Sequence, residues 1–218
     1  MIPLKDNIRS RKLPVMTVGL IILNIWIFFQ QTQLPPDQLQ LLIAEFGFIP
    51  KRIVLAYNQG ELSLLPLATP VTSAFFHGNL IHLAGNMLYL WVFGDNVEDK
   101  LGSFRFLLFY LVAAIFGSLG HLLSDPLSVQ PAIGASGAVA GVLGAYFIFF
   151  PYAKVFTLVP IGIFITFIHL PAVIFLGIWI LIQGANAALP APGEAVSVAW
   201  WAHISGFIMG VIYSLFKK

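Results

Sequence analysis

Ser136 and His203 are the residues of this sequence whose types and surroundings best suit nucleophilic chemistry. Ser136 lies within Gly134-Ala135-Ser136-Gly137, at the expected start of an apolar helix. Backbone N–H groups at a helix start lack intrahelical partners and suit a developing oxyanion. A histidine beside such a hydroxyl can accept its proton and later return it to a leaving amine. If the fold brings Ser136 and His203 together, they predict acyl transfer by a Ser–His dyad.

Helix packing is a competing interpretation of both segments. Gly137 and Gly141 have the spacing of an ordinary small-residue packing face in membrane helices. Gly206 and Gly210 follow His203 by three and seven residues, so they share its helix face and would let that face approach a neighbour closely. The imidazole would then project into the contact, either as a base or as a hydrogen-bonding group that stabilises a bundle.

A third polar cluster could complete such a site. His82 and Asn86 are four residues apart and share a helix face, so their donors could polarise one carbonyl oxygen. Taken alone, the pair is more typical of hydrogen bonding between helices. None of the nine acidic residues falls well inside an apolar stretch, which predicts a dyad and not a triad. Without clustered carboxylates and histidines at ligand spacing, we expect no metal and no cofactor.

The elements that must position these residues are membrane helices. The chain has 218 residues, 59% hydrophobic and 9% charged, whereas soluble domains are about 25% charged. This composition excludes a water-soluble enzyme and a nucleic-acid-binding protein. A membrane-spanning helix needs about 20 apolar residues, and six stretches approach that length, at about 13–29, 80–93, 106–123, 132–150, 155–182 and 195–216.

These stretches predict an all-α, polytopic membrane protein built as a six-helix bundle. The fifth stretch is overlong and contains Pro160 and Pro171, so a tilt, a kink or a late start must absorb the excess. The longest connection, about 30–72, is apolar enough to lie partly in the membrane interface.

The positions of Lys and Arg predict the orientation of the bundle. With the N-terminus inside, nine of the eleven basic residues lie on the inner side, and only Lys51 and Arg52 lie outside. We expect residues 1–12 to form a cytoplasmic N-terminal segment and residues 13–218 one six-helix domain in the cell membrane, with both termini cytoplasmic. His82, Ser136 and His203 then all lie in the outer parts of their helices.

Four motifs, in order along the chain, resemble those of the rhomboid family of intramembrane serine proteases. Residues 69–98 resemble the family's second-helix signature, with His77, His82 and Asn86 at its histidine and asparagine positions. The segment leading into the third helix resembles the family at Gly94, Glu98 and Gly102. Gly134-Ala135-Ser136-Gly137 matches the Gly-x-Ser-Gly motif of the nucleophile, and Ala202-His203 with its two glycines matches the motif of the base. The resemblance covers about residues 69–213.

The resemblance implies a six-helix core whose active site opens to the outer face through a water-filled cavity. Substrates would be transmembrane helices of other proteins, cleaved near the outer membrane surface. His82, Asn86 and the backbone N–H of Ser136, within the Gly134-Ala135 loop, would form the oxyanion hole, and residues 184–197 would act as a cap. The family commonly has an aromatic residue four positions after the nucleophile, stacked on the base. This chain has Ala140 there, so His203 needs other support.

Two other functions remain open. A rhomboid-like protein without activity could bind membrane clients, although such a protein would be expected to lose Ser136 or His203. A small-solute transporter could line its pathway with His82, Asn86 and His203, although the sequence shows no internal repeat. Metalloproteases and aspartyl intramembrane proteases are excluded, because the chain has neither His-Glu-x-x-His nor paired aspartates within apolar stretches.

Overall fold

Helices dominate the chain. A computed structural model describes residues 1–61, 63–162, 164–189 and 200–217, within which the chain forms nine α-helices and three strands. The strands are β1 (Ile2–Lys5), β2 (Lys154–Ile161) and β3 (Phe164–Pro171). The helices are α1 (Val15–Thr32), α2 (Pro36–Phe46), α3 (Pro50–Gln59), α4 (Leu64–Thr72), α5 (Leu80–Leu101), α6 (Ser103–Ser124), α7 (Ser136–Phe149), α8 (Ala172–Ala188) and α9 (Trp200–Leu215).

Helix α7 lies at the centre of the bundle. Its sequence is apolar on every side, and residues 137–146 are all buried. A helix that is apolar all round is either buried in a protein core or exposed to lipid, and α7 is covered by α5, α6, α8 and α9. Ser136 is its first residue, so the predicted nucleophile lies at one end of the most enclosed helix of the fold.

Helices α7 and α9 pack backbone against backbone. A Cβ atom on Gly206 would overlap the carbonyl oxygen of Gly137, and one on Gly210 would overlap that of Gly141. Gly144 is likewise pressed against the carbonyl oxygen of Phe207. The packing faces predicted from the glycine spacing are therefore confirmed for both helices.

A buried carboxylate joins the start of α1 to α5. Glu98 accepts hydrogen bonds from the backbone N–H groups of Met16 and Thr17 at 3.0 and 2.7 Å and from the Thr17 hydroxyl at 2.8 Å. The Ser103 hydroxyl donates to the same carboxylate at 2.6 Å. Glu98 thus satisfies N–H groups of the first turn of α1 that have no partner within that helix.

The expectation of an all-α protein is wrong for the first half of the overlong fifth stretch. Strands β2 and β3 form an antiparallel hairpin, and β1 pairs with the other edge of β2 to give the order β1-β2-β3. Residues 154–171 are rich in β-branched and aromatic side chains, which favour strands. Gly162, at φ +59°, lies in the hairpin turn, and Pro171 ends the hairpin. Helix α8 therefore has the late start, at Ala172.

The other five apolar stretches overlap α1, α5, α6, α7 and α9, respectively. Among the described helices, α1 and α6 are long and apolar enough to cross a membrane, and α7, α8 and α9 are apolar but shorter. The connection predicted at 30–72 folds into α2, α3 and α4. Residues 195–199 of the sixth stretch, and most of the predicted cap at 184–197, lie outside the described residues.

Candidate active site

His82 and Asn86 meet the loop that precedes α7. Gly134 has a φ of +127°, and a Cβ atom there would lie 2.6 Å from His82 Cε1, 2.7 Å from His82 Nε2 and 3.7 Å from Asn86 Nδ2. Asn86 is 8% exposed, and its Nδ2 finds no acceptor among the described residues. A buried amide donor without a partner is costly unless it serves a ligand. The predicted pair therefore presents one imidazole and one free amide donor to the turn before Ser136.

His77 is hydrogen-bonded to the same loop. Its Nε2 accepts a hydrogen bond from the backbone N–H of Ala135 at 3.5 Å, and its ring lies edge-on to that of His82 at 5.1 Å between centroids. Burial, together with the nearby His82, lowers the pKa of His77 to about 4, so its ring is neutral at pH 7 and can accept this bond. His77 thus supports the site by contact with its loop.

The first turn of α7 supplies backbone donors beside the hydroxyl of Ser136. Ala135 is the N-cap, and its carbonyl accepts the first intrahelical bond, from the N–H of Val139 at 2.9 Å. The N–H groups of residues 136–138 therefore have no acceptor within the helix, as at any helix start. They lie at the positive end of the helix dipole, where negative charge is stabilised.

His203 lies in α9 with partners on two sides. Its Nδ1 is 2.8 Å from Gln183 Oε1 on α8. The ring is 6.0 Å from that of Trp179 and 5.9 Å from that of Trp200, measured between centroids. The imidazole thus has aromatic neighbours on α8 and α9, although position 140 is an alanine.

The chain neighbours of Ser136 and His203 pack against each other. A Cβ atom on Gly137 would lie 3.6 Å from the carbonyl oxygen and 3.9 Å from the Cβ of Ala202. Among the described residues, no hydrogen bond joins the Ser136 hydroxyl to His203. Serine–histidine hydrogen bonds are often loose before substrate binds.

A cavity of about 40 Å³ lies beside Ser136 and reaches α4, α6 and α9. This volume can hold water when polar groups are present to bind it. Such groups are the side chains of Ser73, Ser118, His121 and Ser136 itself.

Gln183 was not predicted as a site residue from the sequence. Gln183 directly follows the apolar run at 172–182 and comes four positions after Trp179. A polar residue in an apolar segment calls for a partner, and that signal was available. No motif of the sequence, however, links Gln183 to His203.

The sequence also matches the model of a known protein family. The model of the family described as Rhomboid domain matches residues 67–217. The chain belongs to the rhomboid family. Members of this family are integral membrane proteins, and they include serine proteases that act on transmembrane substrates.

Named rhomboid proteins are among the relatives of this chain. It is 37% identical over 153 residues to Rhomboid protein 1, mitochondrial, of Saccharomyces cerevisiae, which is 66% of this chain and 40% of the relative. It is 37% identical over 138 residues to Rhomboid protease GluP of Bacillus subtilis, covering 61% of this chain and 24% of the relative. The human Presenilin-associated rhomboid-like protein, mitochondrial, is 28% identical over 173 residues, 75% of this chain and 41% of the relative. The rhomboid chain described here thus spans less than half the length of these three relatives.

Proposed function

We propose that this rhomboid is an intramembrane serine endopeptidase that cleaves transmembrane helices of other membrane proteins with a dyad of Ser136 and His203. The observation that carries the proposal is the backbone contact between α7 and α9 at Gly137 and Ala202. These residues directly follow Ser136 and directly precede His203. Small residues at this contact hold a hydroxyl and an imidazole at the same end of two adjacent helices.

In the proposed reaction, Ser136 Oγ attacks the carbonyl carbon of the substrate peptide bond while His203 Nε2 takes the hydroxyl proton. The tetrahedral intermediate collapses, the C–N bond breaks, and the departing amine takes the proton from His203. Water, activated by His203 in the same way, then hydrolyses the acyl–enzyme ester and regenerates the Ser136 hydroxyl. The cavity beside Ser136 offers a place for that water.

Charge that develops on the substrate oxygen needs donors already in place, because fixed dipoles need no reorganisation during the reaction. The donors assigned to it are the N–H of Ser136, the amide of Asn86 and the imidazole of His82. The free Nδ2 of Asn86 supports this assignment. Gly134 leaves room for the His82 ring, since a side chain at position 134 would collide with it. Ala135 connects this glycine to Ser136.

The proposed substrate class and orientation follow from the family and from the charges of the chain. The protein would lie in the cell membrane with six membrane-spanning segments, formed by α1, α5, α6, α7, α8 and α9. Both termini would then be cytoplasmic. The site would then open towards the outer surface, and membrane lipid would surround the helices. Because the chain has no cysteine, single cysteines at Lys5 and Lys51 can test this orientation, and an impermeant maleimide should label only the second in intact cells.

The test of the catalytic assignment is labelling with a fluorophosphonate, which forms a covalent bond with activated serines. The purified protein should be labelled, and Ser136→Ala should abolish both labelling and cleavage of single-span substrates in detergent. Ser118→Ala is the matched control, because Ser118 lines the same cavity and its hydroxyl donates only to the carbonyl of Pro70, at 3.3 Å. This control should keep both activities.

Labelling that persists in Ser136→Ala would show that Ser136 is not the nucleophile. A folded wild-type protein that neither reacts with the probe nor cleaves any substrate of the panel would favour the inactive, client-binding alternative.

A further inference from the structure

The side chain of Gln183 is fixed at both ends. It is 6% exposed, its Nε2 donates to the carbonyl oxygen of Trp179 at 3.2 Å, and its Oε1 lies 2.8 Å from Nδ1 of His203. A backbone carbonyl can only accept a hydrogen bond, so the nitrogen of the amide must face Trp179. The amide oxygen therefore faces His203.

This orientation determines the tautomer of His203. An amide oxygen can only accept, so Nδ1 of His203 must carry a proton to make the bond. In the neutral imidazole the other nitrogen, Nε2, then has a free lone pair. Only that nitrogen, on the far side of the ring from Gln183, is available to act as a base.

The same contact fixes the direction of the ring. Trp179 and Trp200 flank the imidazole, but ring contacts alone do not distinguish Nδ1 from Nε2. The hydrogen bond that Nδ1 of His203 donates to Gln183 does, because a ring flipped by 180° would lose it. Of the buried residues of α8, Ala172, Phe175 and Leu176 lie in its first half, and Gln183 lies near its other end.

Building on the proposed function, we propose that Gln183 is a positioning residue, which holds His203 in the tautomer and orientation needed to take the proton of Ser136. It does so as a neutral acceptor, in the place where a carboxylate stands in a Ser–His–Asp triad. A neutral acceptor avoids a buried charge, which suits a segment that lies in a membrane. The apolar segments offer no acid, and the amide of Gln183 performs the orienting role.

The test compares Gln183→Met with Gln183→Glu. Methionine has a similar length and no acceptor of comparable strength, so kcat should fall by about 10–100-fold, the loss seen when an outer-shell partner of a histidine is removed. KM should change by less than about twofold, since Gln183 does not touch substrate. Glutamate keeps an acceptor at the same position and should restore most of kcat. Its negative charge would also stabilise protonated His203, which moves the acidic limb of the pH–rate profile to higher pH.

Thr17→Val is the control for a merely structural role. It removes a hydrogen bond between α1 and Glu98 of α5, far from Ser136, so it should lower the melting temperature without changing kcat of the folded protein. Gln183→Met with wild-type kcat and pH profile would overturn the inference. If Gln183→Met is too unstable to assay, an unmoved acidic limb in Gln183→Glu overturns it equally.

Ser136→Ala measured in parallel separates the two claims. If wild type is no more active than Ser136→Ala, the proposed function fails, and with it the role of Gln183. If the wild type cleaves, Ser136→Ala does not, and the Gln183 variants cleave as well as the wild type, the protease assignment stands and the positioning role fails.

Discussion

Asn86 presents an amide donor that is buried without an acceptor among the described residues. If this donor binds the oxyanion, Asn86→Ala should lower kcat by about 10²–10³-fold, as loss of one oxyanion donor does in soluble proteases. Substrate affinity should change little, because the interaction strengthens only in the transition state. Steady-state cleavage of a single-span substrate measures both quantities.

Asn24→Ala is the matched control for this loss. Asn24 is a buried asparagine of α1 whose Nδ2 donates to the carbonyl of Leu20 at 2.7 Å, within its own helix. Its removal should affect stability and leave the kcat of the folded protein unchanged. Equal effects of the two substitutions on kcat and on melting temperature would reduce Asn86 to a packing residue.

At the scale of single residues, the sequence singled out His82, Asn86, Ser136 and His203 but not the groups that support them. The spacing of His82 and Asn86 puts them on one helix face, and the structure places that face beside Gly134. The partner of His203 could not be deduced, because Gln183 lies on a helix whose start was itself uncertain. Contacts between distant segments depend on helix rotation, which composition does not fix.

The contact between α7 and α9 gives a prediction at the scale of elements. Gly206→Ala would place a methyl group on the carbonyl oxygen of Gly137, so the helices must separate. Overpacking of this kind typically costs about 1–3 kcal/mol, and separation would also pull His203 away from Ser136. Thermal unfolding in detergent and the cleavage rate should both fall.

The control for this glycine is Gly177→Ala in α8. Nothing lies within 4 Å of a Cβ atom at position 177, and alanine is the better helix former by about 1 kcal/mol. Its stability should be unchanged or higher. If Gly206→Ala behaves like Gly177→Ala, the backbone contact is not needed for the fold or the site.

The strands show where element prediction from this sequence fails. Helices α1, α6 and α7 were predicted from apolar runs long enough to form a helix. Residues 154–171 form an equally apolar run, and such a run does not distinguish a buried helix from strands by periodicity. The third strand, β1, pairs with β2 from about 150 positions away in the chain, and no local pattern records that pairing.

At the scale of the whole molecule, residues 1–12, predicted from the sequence as a cytoplasmic N-terminal segment, contact α5 and α7 of the helical bundle. Asp6 follows β1, and its Oδ2 accepts hydrogen bonds from Tyr146 of α7 and, at 2.9 Å, from Asn96 of α5. Burial raises the pKa of Asp6 to about 6; the bond from Tyr146 lowers it, and the nearby Asp95 raises it again. The N-terminal strand is thus attached to the bundle through a carboxyl group that binds its proton more tightly when docked than when free.

This preference makes the attachment of β1 depend on pH. A carboxyl group with a pKa of 3.8 when free and about 6 when docked takes up a proton on docking between these values. Docking is therefore strongest below about pH 4 and weakens as the pH rises through 6. Hydrogen exchange of residues 2–5, corrected for the intrinsic pH dependence of exchange, should show less protection at pH 8 than at pH 5. Asp6→Asn keeps an acceptor without a titrating group and should show equal protection at both values. Protection that rises with pH in the wild type, or falls equally in Asp6→Asn, would contradict the role of Asp6.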